Sequence, residues 1–181
     1  MKNTVLGIAL VATVTALGLF TSCQKQSTGG LVLNEICGKD ADGLEWVEIA
    51  NTSDQAISLN GYKLRKTDEE GIDKKLYEFP DTTIAPGAIY MVNTEDLKAS
   101  ISHKKAIIID LEDADGNILD SFDSMEELNL DHHPKGASYA RVPNLTGKWT
   151  LSSCATWNAS NDQAGPAPEA SDDDEDLDEE E

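Results

Sequence analysis

Basic residues are scarce in this chain of 181 residues, in which 14 Lys and Arg stand against 34 Asp and Glu and give a formal net charge of −20. Ten of the acidic residues fall in residues 169–181, and without them the net charge is still about −10. Proteins that bind nucleic acid neutralise its phosphates with clustered Lys and Arg. Two small basic clusters, at residues 63–66 and 104–105, do not make a basic face on so acidic a chain. Nucleic acid is therefore not an expected partner.

Long apolar runs are also scarce, and the single one, from Val5 to Phe20, follows Lys2 near the start of the chain. Its 16 residues are fewer than the roughly 20 that a bilayer-spanning helix needs. A short apolar run after a basic residue is typical of a secretory signal. The run is followed by two small residues and Cys23. This ending resembles a bacterial lipoprotein signal, in which the cysteine thiol receives a diacylglyceryl group before cleavage.

The resemblance implies that residues 1–22 are a lipoprotein signal peptide and that Cys23 is the lipidation site. Two or three acyl chains hold a protein on a membrane because each buried methylene contributes about 0.8 kcal/mol. We therefore expect a bacterial cell-envelope location, lipid-anchored in the outer membrane, with the periplasmic or surface-facing side left open. A secreted protein with an unmodified Cys23 is the alternative.

Besides Cys23, the chain has two cysteines, Cys37 and Cys154, and their separation excludes a C-x-x-C redox or zinc motif. The compartment beyond the inner membrane permits disulfides. A disulfide between the two residues is possible in sequence terms and would close a loop of more than 100 residues. Two separate buried thiols are the alternative, and the sequence leaves the choice open.

Composition divides the chain after the signal peptide into three parts. Residues 23–30 are polar and predict a flexible tether. Residues 31–161 make one domain of ordinary size, long enough for a hydrophobic core. Residues 162–181 have almost no apolar side chains and end in a dense acidic run, which predicts a disordered acidic tail.

Long helical patterns are absent from the domain, and residues 94–101 (TEDLKASI) are the one short helix-like segment. The remaining apolar residues fall in short runs separated by turn residues, which predicts an antiparallel sandwich or barrel. The runs are LVLNEI, EWVEIAN, AISL, YKLRK, LYEF, AIYMVN, AIIIDL, ILDSF, ASYARV and KWTL.

An ordered series of motifs in this domain resembles the lamin tail domain family. Leu-Asn-Glu at 33–35 is similar to the family's opening strand, and EWVEIANT at 45–52 is similar to its Asp-Trp-Ile-Glu-Leu-x-Asn strand. ISLNGYKL at 57–64 matches a Leu-Ser-Gly-Trp-x-Leu corner, TIAPG at 83–87 a Pro-Gly turn, and GASYAR at 136–141 a Gly-x-Ser-x-x-Arg segment. The resemblance implies an all-β fold, an immunoglobulin-like antiparallel β-sandwich.

The sequence departs from the family pattern near its end. The family often closes with Thr-Pro-Gly and a later Asn, whereas residues 155–161 read ATWNASN, with Trp157-Asn158 in place of Pro-Gly. Some lamin tail domains are associated with nucleic acid or nuclease partners. The acidic charge of this chain argues against that association here.

The tetrapeptide DADG occurs twice, at residues 40–43 and 113–116, and raises the question of calcium loops. With Gly at position 6 of an EF-hand loop, position 12 must supply a bidentate Glu. Here position 12 is Ile49 in the first loop and Phe122 in the second. Asp-Gly between β runs is instead a strong turn signal, so we predict two β-turns.

Catalytic motifs are missing. GASYA at 136–140 approaches a Gly-x-Ser-x-Gly nucleophile elbow but lacks the last glycine and follows no strand–turn–helix pattern. The histidines His103, His132 and His133 do not form a His-Glu-x-x-His zinc motif. We predict that the protein is not an enzyme and has no cofactor.

The sequence favours a lipid-anchored cell-envelope protein with a non-catalytic domain for binding or structural interaction. Its expected partners are the membrane, through lipid at Cys23, and an unidentified protein or glycan. One alternative is a metal-assisted hydrolase or nuclease accessory module that uses Asp113, Asp115 and residues 132–133, with calcium as its metal. Another is a glycan-binding module that uses aromatic residues such as Trp149 or Trp157.

Overall fold

The computed structural model describes residues 30–163. The predicted signal peptide, the lipidation site at Cys23, the tether before Gly30 and the acidic tail from residue 164 lie outside the described residues. Within residues 30–163, no helix is long and apolar enough to cross a membrane.

The described residues form short strands with one turn of α-helix and one of 3₁₀-helix. The elements are β1 (Leu31–Cys37), β2 (Trp46–Asn51), β3 (Ile57–Ser58), β4 (Lys63–Asp68), β5 (Asp73–Glu78), β6 (Thr83–Ile84), β7 (Ile89–Asn93), β8 (Ile107–Glu112), β9 (Ile118–Asp123), α1 (Ser124–Leu128), β10 (Ser138–Val142), β11 (Lys148–Ser152) and the 3₁₀ turn Asn161–Gln163.

All the strand pairs among the described residues are antiparallel, and most of them belong to two main sheets. The first sheet has the order β11-β10-β1-β2-β7, the second has the order β5-β4-β8-β9, and β3 pairs with β6 in a small third ladder. The prediction of an all-β immunoglobulin-like antiparallel β-sandwich is confirmed.

Alternation along the strands determines which side chains fill the space between the sheets. The buried residues of β8 are Ile107, Ile109 and Leu111, and those of β2 that face the same core are Val47 and Ile49. The core continues with Leu31, Leu33, Ile36, Leu59, Leu64, Leu76, Phe79, Ile84, Val92, Ile101, Phe122, Tyr139 and Trp149. The alternate side chains of β1 and β2 therefore face away from this core, on the outer face of the first sheet.

Two charged side chains replace part of the ladder between β1 and β10. The two strands pair at Glu35 and Ile36. Nearer the start of β1, Leu33 N donates to Asp120 Oδ2 at 2.8 Å and Arg141 Nε donates to Leu33 O at 2.8 Å. Arg141 also lies 3.0 Å from Asp120 Oδ2. This ion pair joins the two sheets and satisfies the backbone of Leu33 at the same time.

The helix-like pattern at residues 94–101 does not form a helix, so that prediction is wrong. Lys98 N donates to Leu76 O at 2.8 Å, and Ile101 N donates to Glu45 Oε2 at 2.8 Å. Because these backbone donors bond to other parts of the fold, an intrahelical ladder is not available to them.

The helical turn is α1, which directly follows β9. Asp123 caps it, since its Oδ1 accepts from Met125 N at 2.9 Å and from Glu126 N at 3.1 Å. Asn129 ends it in the left-handed conformation, with φ 56°. Asp at the N-cap and Asn at the left-handed end are the usual signals for a helix this short.

Candidate functional site

Two glutamates lie buried on the outer face of the first sheet. Glu35 in β1 and Glu48 in β2 are register partners, next to a β-bulge between Leu33 and Glu35. Both side chains are completely buried. Like charges directly opposite each other in a sheet are destabilising, and a buried carboxylate is costly unless it is hydrogen-bonded. This carboxyl pair therefore calls for donors close by.

The segment of residues 153–163, here termed the C-terminal strap, supplies many of those donors. Glu35 Oε1 accepts from Thr156 N at 2.8 Å, and Glu35 Oε2 lies 2.6 Å from Thr156 Oγ1. Ser138 Oγ in β10 donates to Glu35 Oε1 at 2.6 Å. Asn158 N donates to Glu48 Oε1 at 2.7 Å. The strap thus closes over the carboxyl pair.

Three asparagines extend this network around the pair. Asn34 Nδ2 donates to Glu48 Oε2 at 3.2 Å and to Asn144 Oδ1 at 3.1 Å. Asn161 Nδ2 donates to Asn34 O at 3.0 Å and to Arg141 O at 3.1 Å. The end of the strap is consequently held against the first half of β1 and the end of β10.

Trp157 of the strap packs on Trp46 of β2. The ring centroids are 4.9 Å apart at an interplanar angle of 74°, an edge-to-face contact. Trp46 is 1% exposed and Trp157 is 40% exposed. The next residue, Asn158, has φ 50°, the left-handed conformation that Gly adopts freely and Asn tolerates. The Trp157-Asn158 departure therefore lies in a turn, in which Ala159 N donates to Thr156 O at 2.9 Å, and it adds an aromatic ring.

The environment of Glu48 favours its protonated form. Burial, and then the charge of Glu35, raises the pKa of Glu48 from 4.5 to about 7, against the opposing effect of the hydrogen bonds from Asn158 and Asn34. The pair can therefore exchange a proton close to neutral pH. It is closed to solvent by the strap, so a substrate has no direct access to it in this conformation.

The second DADG loop, which contains Asp113 and Asp115, resembles a β-turn and not a calcium site. Asp113 Oδ1 accepts from Asp115 N at 2.9 Å and from Asn117 N at 2.8 Å, and Asp113 Oδ2 accepts from Asn117 Nδ2 at 2.9 Å. Gly116 N donates to Asp113 O at 3.1 Å, and Gly116 has φ 84°. The carboxylate of Asp113 thus stabilises a hairpin turn.

The first DADG loop has the same geometry. Gly43 N donates to Asp40 O at 3.1 Å, and Asp40 Oδ1 accepts from Leu44 N at 2.7 Å. A third loop, DEEG at residues 68–71, repeats it, with Gly71 N donating to Asp68 O at 2.9 Å. The repeated tetrapeptide is therefore one turn used again, and a third copy with different central residues was not visible as a repeat.

The two histidines of the hydrolase hypothesis have separate surroundings. His133 is 1% exposed, Gly38 N donates to its Nε2 at 3.0 Å, and its Nδ1 donates to Pro134 O at 2.9 Å. Burial lowers the pKa of His133 to about 4. His132 is exposed and lies 2.5 Å from Asp131 Oδ1. Among residues 30–163, no three His, Cys, Asp or Glu side chains are placed to hold a metal ion.

Cys37 and Cys154 are free thiols in the structure, the first buried and the second exposed. Cys37 Sγ donates to Ala137 O at 3.4 Å. The alternative of two separate buried thiols therefore holds for Cys37, whereas Cys154 is exposed. The pairing of the two residues stays a prediction.

The two tryptophans of the glycan hypothesis also differ. Trp149 is 6% exposed and packs on Phe122, with ring centroids 4.5 Å apart. Arg141 lies over the ring of Trp149, 4.6 Å from its centroid. Trp149 is therefore a core residue, and Trp157 is the exposed aromatic of the two.

In the sequence, Glu35 and Glu48 belong to family motifs, and no binding or catalytic motif marks them as a site. The available signal was a glutamate in the middle of each of two otherwise apolar strands, LVLNEI and EWVEIAN. Thr156 and Asn161, which contact the pair or its neighbours, are more than 100 residues away in sequence, and no local pattern connects them.

The comparisons with known proteins agree with the fold. The family model described as Lamin Tail Domain matches residues 24–126, and no curated protein matches the chain. The matched segment contains both glutamates of the carboxyl pair, whereas the strap lies beyond it. Because the match covers more than half of the 181 residues and the sandwich is the one that the motifs predicted, the chain belongs to the lamin tail domain family.

Proposed function

We propose that this protein is a lipid-anchored cell-envelope protein whose lamin tail domain binds a partner or has a structural role and does not catalyse a reaction. The observation that carries the proposal is the closed state of the buried carboxyl pair. Its oxygens accept hydrogen bonds from the sheet and the strap, so the pair supports the fold and is not poised toward a substrate.

The positions of the chain ends favour one end of the sandwich for recognition. Gly30 precedes β1, and the strap ends beside the first half of β1 at Asn34. The loops 38–45, 94–106 and 129–137 meet at the opposite end, where Gly38 N donates to His133 Nε2 and His133 N donates to His103 O. With lipid on Cys23, these loops would face away from the membrane.

Membrane fractionation of cells that express the full chain tests the anchor. The wild-type protein is expected in the membrane fraction. Cys23→Ser, expressed behind a signal peptide that is cleaved without lipidation, is expected in the soluble envelope fraction, with Cys154→Ser as the matched cysteine control. Protease added to intact cells then separates surface display, in which the domain is cleaved, from periplasmic display. A Cys23→Ser protein that stays with the membrane would refute the anchor.

The absence of catalysis is tested with purified protein that starts at residue 24. We expect no hydrolysis of nucleic acid, esters or glycans above the level of a mock preparation. Turnover that a single substitution abolishes would overturn the proposal.

Glycan binding is a second candidate function because Trp157 presents an aromatic ring that is 40% exposed. Aromatic faces are suitable platforms for the apolar faces of sugar rings. Titration with envelope oligosaccharides, followed by tryptophan fluorescence, would show saturable binding that Trp157→Ala removes. The control is Ile72→Ala, which removes a side chain that is 51% exposed on a different loop. Equal loss in both variants, or no saturable signal, would eliminate this candidate.

A further inference from the structure

The hydroxyl of Thr156 has one hydrogen but two acceptors beside it. Its Oγ1 lies 2.6 Å from Glu35 Oε2 and 2.8 Å from Asn161 Oδ1. A hydroxyl donates a single hydrogen bond and can accept others. If Glu35 is a carboxylate, one of these two oxygen pairs is a contact between acceptors without a hydrogen. A proton on Glu35 Oε2 resolves the conflict, because Glu35 then donates to Thr156 and Thr156 donates to Asn161.

The orientation of the Asn161 amide is fixed by its other contacts. Asn161 Nδ2 lies 3.0 Å from Asn34 O and 3.1 Å from Arg141 O. Turning the amide over would place its oxygen against these two carbonyl oxygens. The oxygen therefore faces Thr156 as an acceptor, and it cannot supply the missing hydrogen.

Two neighbouring carboxyl groups titrate as one unit, because the charge of one raises the pKa of the other, and the contacts decide which of them holds the proton. The remaining contacts favour Glu35 over Glu48. Glu48 Oε1 faces Asn158 N, and Glu48 Oε2 faces Asn34 Nδ2. Both partners are donors, so a hydrogen on either oxygen would point at a hydrogen. Ser138 Oγ and Thr156 N both face Glu35 Oε1, which leaves Oε2 as the protonated oxygen.

We propose that the Glu35–Glu48 pair holds one shared proton, located on Glu35 Oε2, and that this proton fastens the C-terminal strap to the outer face of the first sheet. Opening of the strap would hydrate both carboxyl groups and let them ionise in the ordinary way. The closed form therefore binds one proton more than the open form, and linkage requires the open form to be favoured as pH rises. Strap closure is thus sensitive to pH near neutrality.

Among residues 30–163, the groups that hydrogen-bond to the carboxyl pair include no cation that would neutralise it. From the sheet these groups are Asn34, Ser138 and the register neighbour Met91 of Glu48, and from the strap they are Thr156 and Asn158.

The nearest other titratable group on β1 is the thiol of Cys37. Burial raises its pKa, so it stays neutral. Asp162, in the strap itself, accepts from Asn144 N at 2.8 Å on the exposed side. Neither group supplies the positive charge that two carboxylates would require.

Glu35→Gln imitates the protonated state. The amide oxygen can accept from Ser138 and Thr156 N, and the amide nitrogen can donate to Thr156 Oγ1, so each contact keeps its sense. Glu48→Gln does the opposite, because its nitrogen must face Asn34 Nδ2 or Asn158 N. The two variants remove the same charge and differ only in this donor arrangement. Glu95→Gln, at an exposed position, controls for the loss of a surface charge.

Amide hydrogen exchange on the full chain between pH 5 and pH 8, corrected for intrinsic exchange rates, tests the proposal at Thr156 and Asn158. In the wild type and in Glu95→Gln, we expect protection of these amides to fall by up to about tenfold for each unit of pH until the closed pair loses its proton, and to level off above that pH. In Glu35→Gln, the total fall in protection should be at least about tenfold smaller. Tryptophan fluorescence, which reports the Trp46–Trp157 contact, should follow the same pattern.

The proposal is overturned if Glu35→Gln loses strap protection with pH as the wild type does, or if wild-type protection does not change. It is also overturned if Glu48→Gln, and not Glu35→Gln, is the variant with a strap that stays closed. The amides of Ile107 and Ile109 in β8, far from the strap, show whether a change is local or a general loss of stability.

Discussion

At the scale of single residues, Thr156 is the residue of the strap that makes the most hydrogen bonds to the buried Glu35 of the first sheet. It contacts Glu35 through both its backbone nitrogen and its hydroxyl. Thr156→Val keeps the shape and removes the hydroxyl, which leaves Asn161 Oδ1 and Glu35 Oε2 without that partner. We predict a loss of about 1–3 kcal/mol in the free energy of unfolding, measured by urea denaturation. Thr83→Val, at an exposed threonine, should change it little, and equal effects would contradict the assigned role.

Two buried ionisable residues act on stability in opposite directions. The folded pKa of Glu48 is raised from 4.5 to about 7, so the folded protein binds more protons in that window and stability falls as pH rises. The folded pKa of His133 is lowered from 6.5 to about 4. There the unfolded chain binds more protons, and stability rises with pH.

The wild-type free energy of unfolding should therefore change little between pH 5 and 6.5, where the two effects oppose each other, and decrease between pH 6.5 and 8. In Glu35→Gln the decrease should be smaller, because the charge of Glu35 is gone while the burial of Glu48 remains. The rise due to His133, of about 3 kcal/mol at most, should then become visible between pH 4 and 6.5. Urea denaturation at constant ionic strength measures both curves. A wild-type curve that rises steadily to pH 8 would be inconsistent with a protonated carboxyl pair.

At the scale of elements, the three Asp-to-Gly hairpin turns give a matched set. Gly43, Gly71 and Gly116 have φ 85°, 75° and 84°, and a Cβ at any of them would meet no atom within 4 Å. Substitution by Ala therefore tests backbone strain alone. Each variant should lose about 1–2 kcal/mol, the cost of a left-handed non-glycine residue, by thermal or urea unfolding. Very unequal losses would show that the three loops are not the same turn.

The same loops provide the test of metal binding. Because the oxygens of Asp113 accept hydrogen bonds within the turn, calorimetry of the domain with Ca²⁺ or Zn²⁺ should show no stoichiometric heat. Asp113→Asn should then weaken the turn without changing any metal response. Tight binding of one ion that Asp115→Asn abolishes would instead support the metal-assisted alternative.

The elements also show what the sequence could reveal. The short apolar runs separated by turn residues predicted the strands well, because burial of alternate side chains such as Ile107, Ile109 and Leu111 requires apolar residues in each run. The short helix was misplaced, because the backbone donors of Lys98 and Ile101 bond to Leu76 and Glu45, partners that no local pattern reveals. Asp123 and Asn129 were adequate capping signals for α1, but five residues are too few to show helical periodicity.

The site was less accessible to prediction than the fold. Gly136–Arg141 was identified as a family segment, and the structure gives Ser138 and Arg141 separate roles, on Glu35 and on Leu33 with Asp120. A motif states which residues recur, but not which side of the sheet each one faces. The strap contacts depend on residues more than 100 positions apart, and chain topology alone brings them together.

At the scale of the whole molecule, the two described chain ends lie near the first half of β1, and three loops lie at the opposite end. Leu44 in the loop of residues 38–45 is 39% exposed, and Ile118 at the start of β9, on the same side as the chain ends, is 43% exposed. The two apolar side chains are similarly accessible. They are therefore matched positions for asking which end of the domain meets a partner.

The most direct test of the central claim, a non-catalytic binding module held on the membrane, is site-specific photo-crosslinking in intact cells with a photoreactive residue at position 44 or 118. The account predicts a discrete adduct of constant mass from position 44, little from position 118, and loss of the position-44 adduct when Cys23 is replaced by serine. Adducts at position 118 alone, or none at either position in an anchored and folded protein, would contradict it.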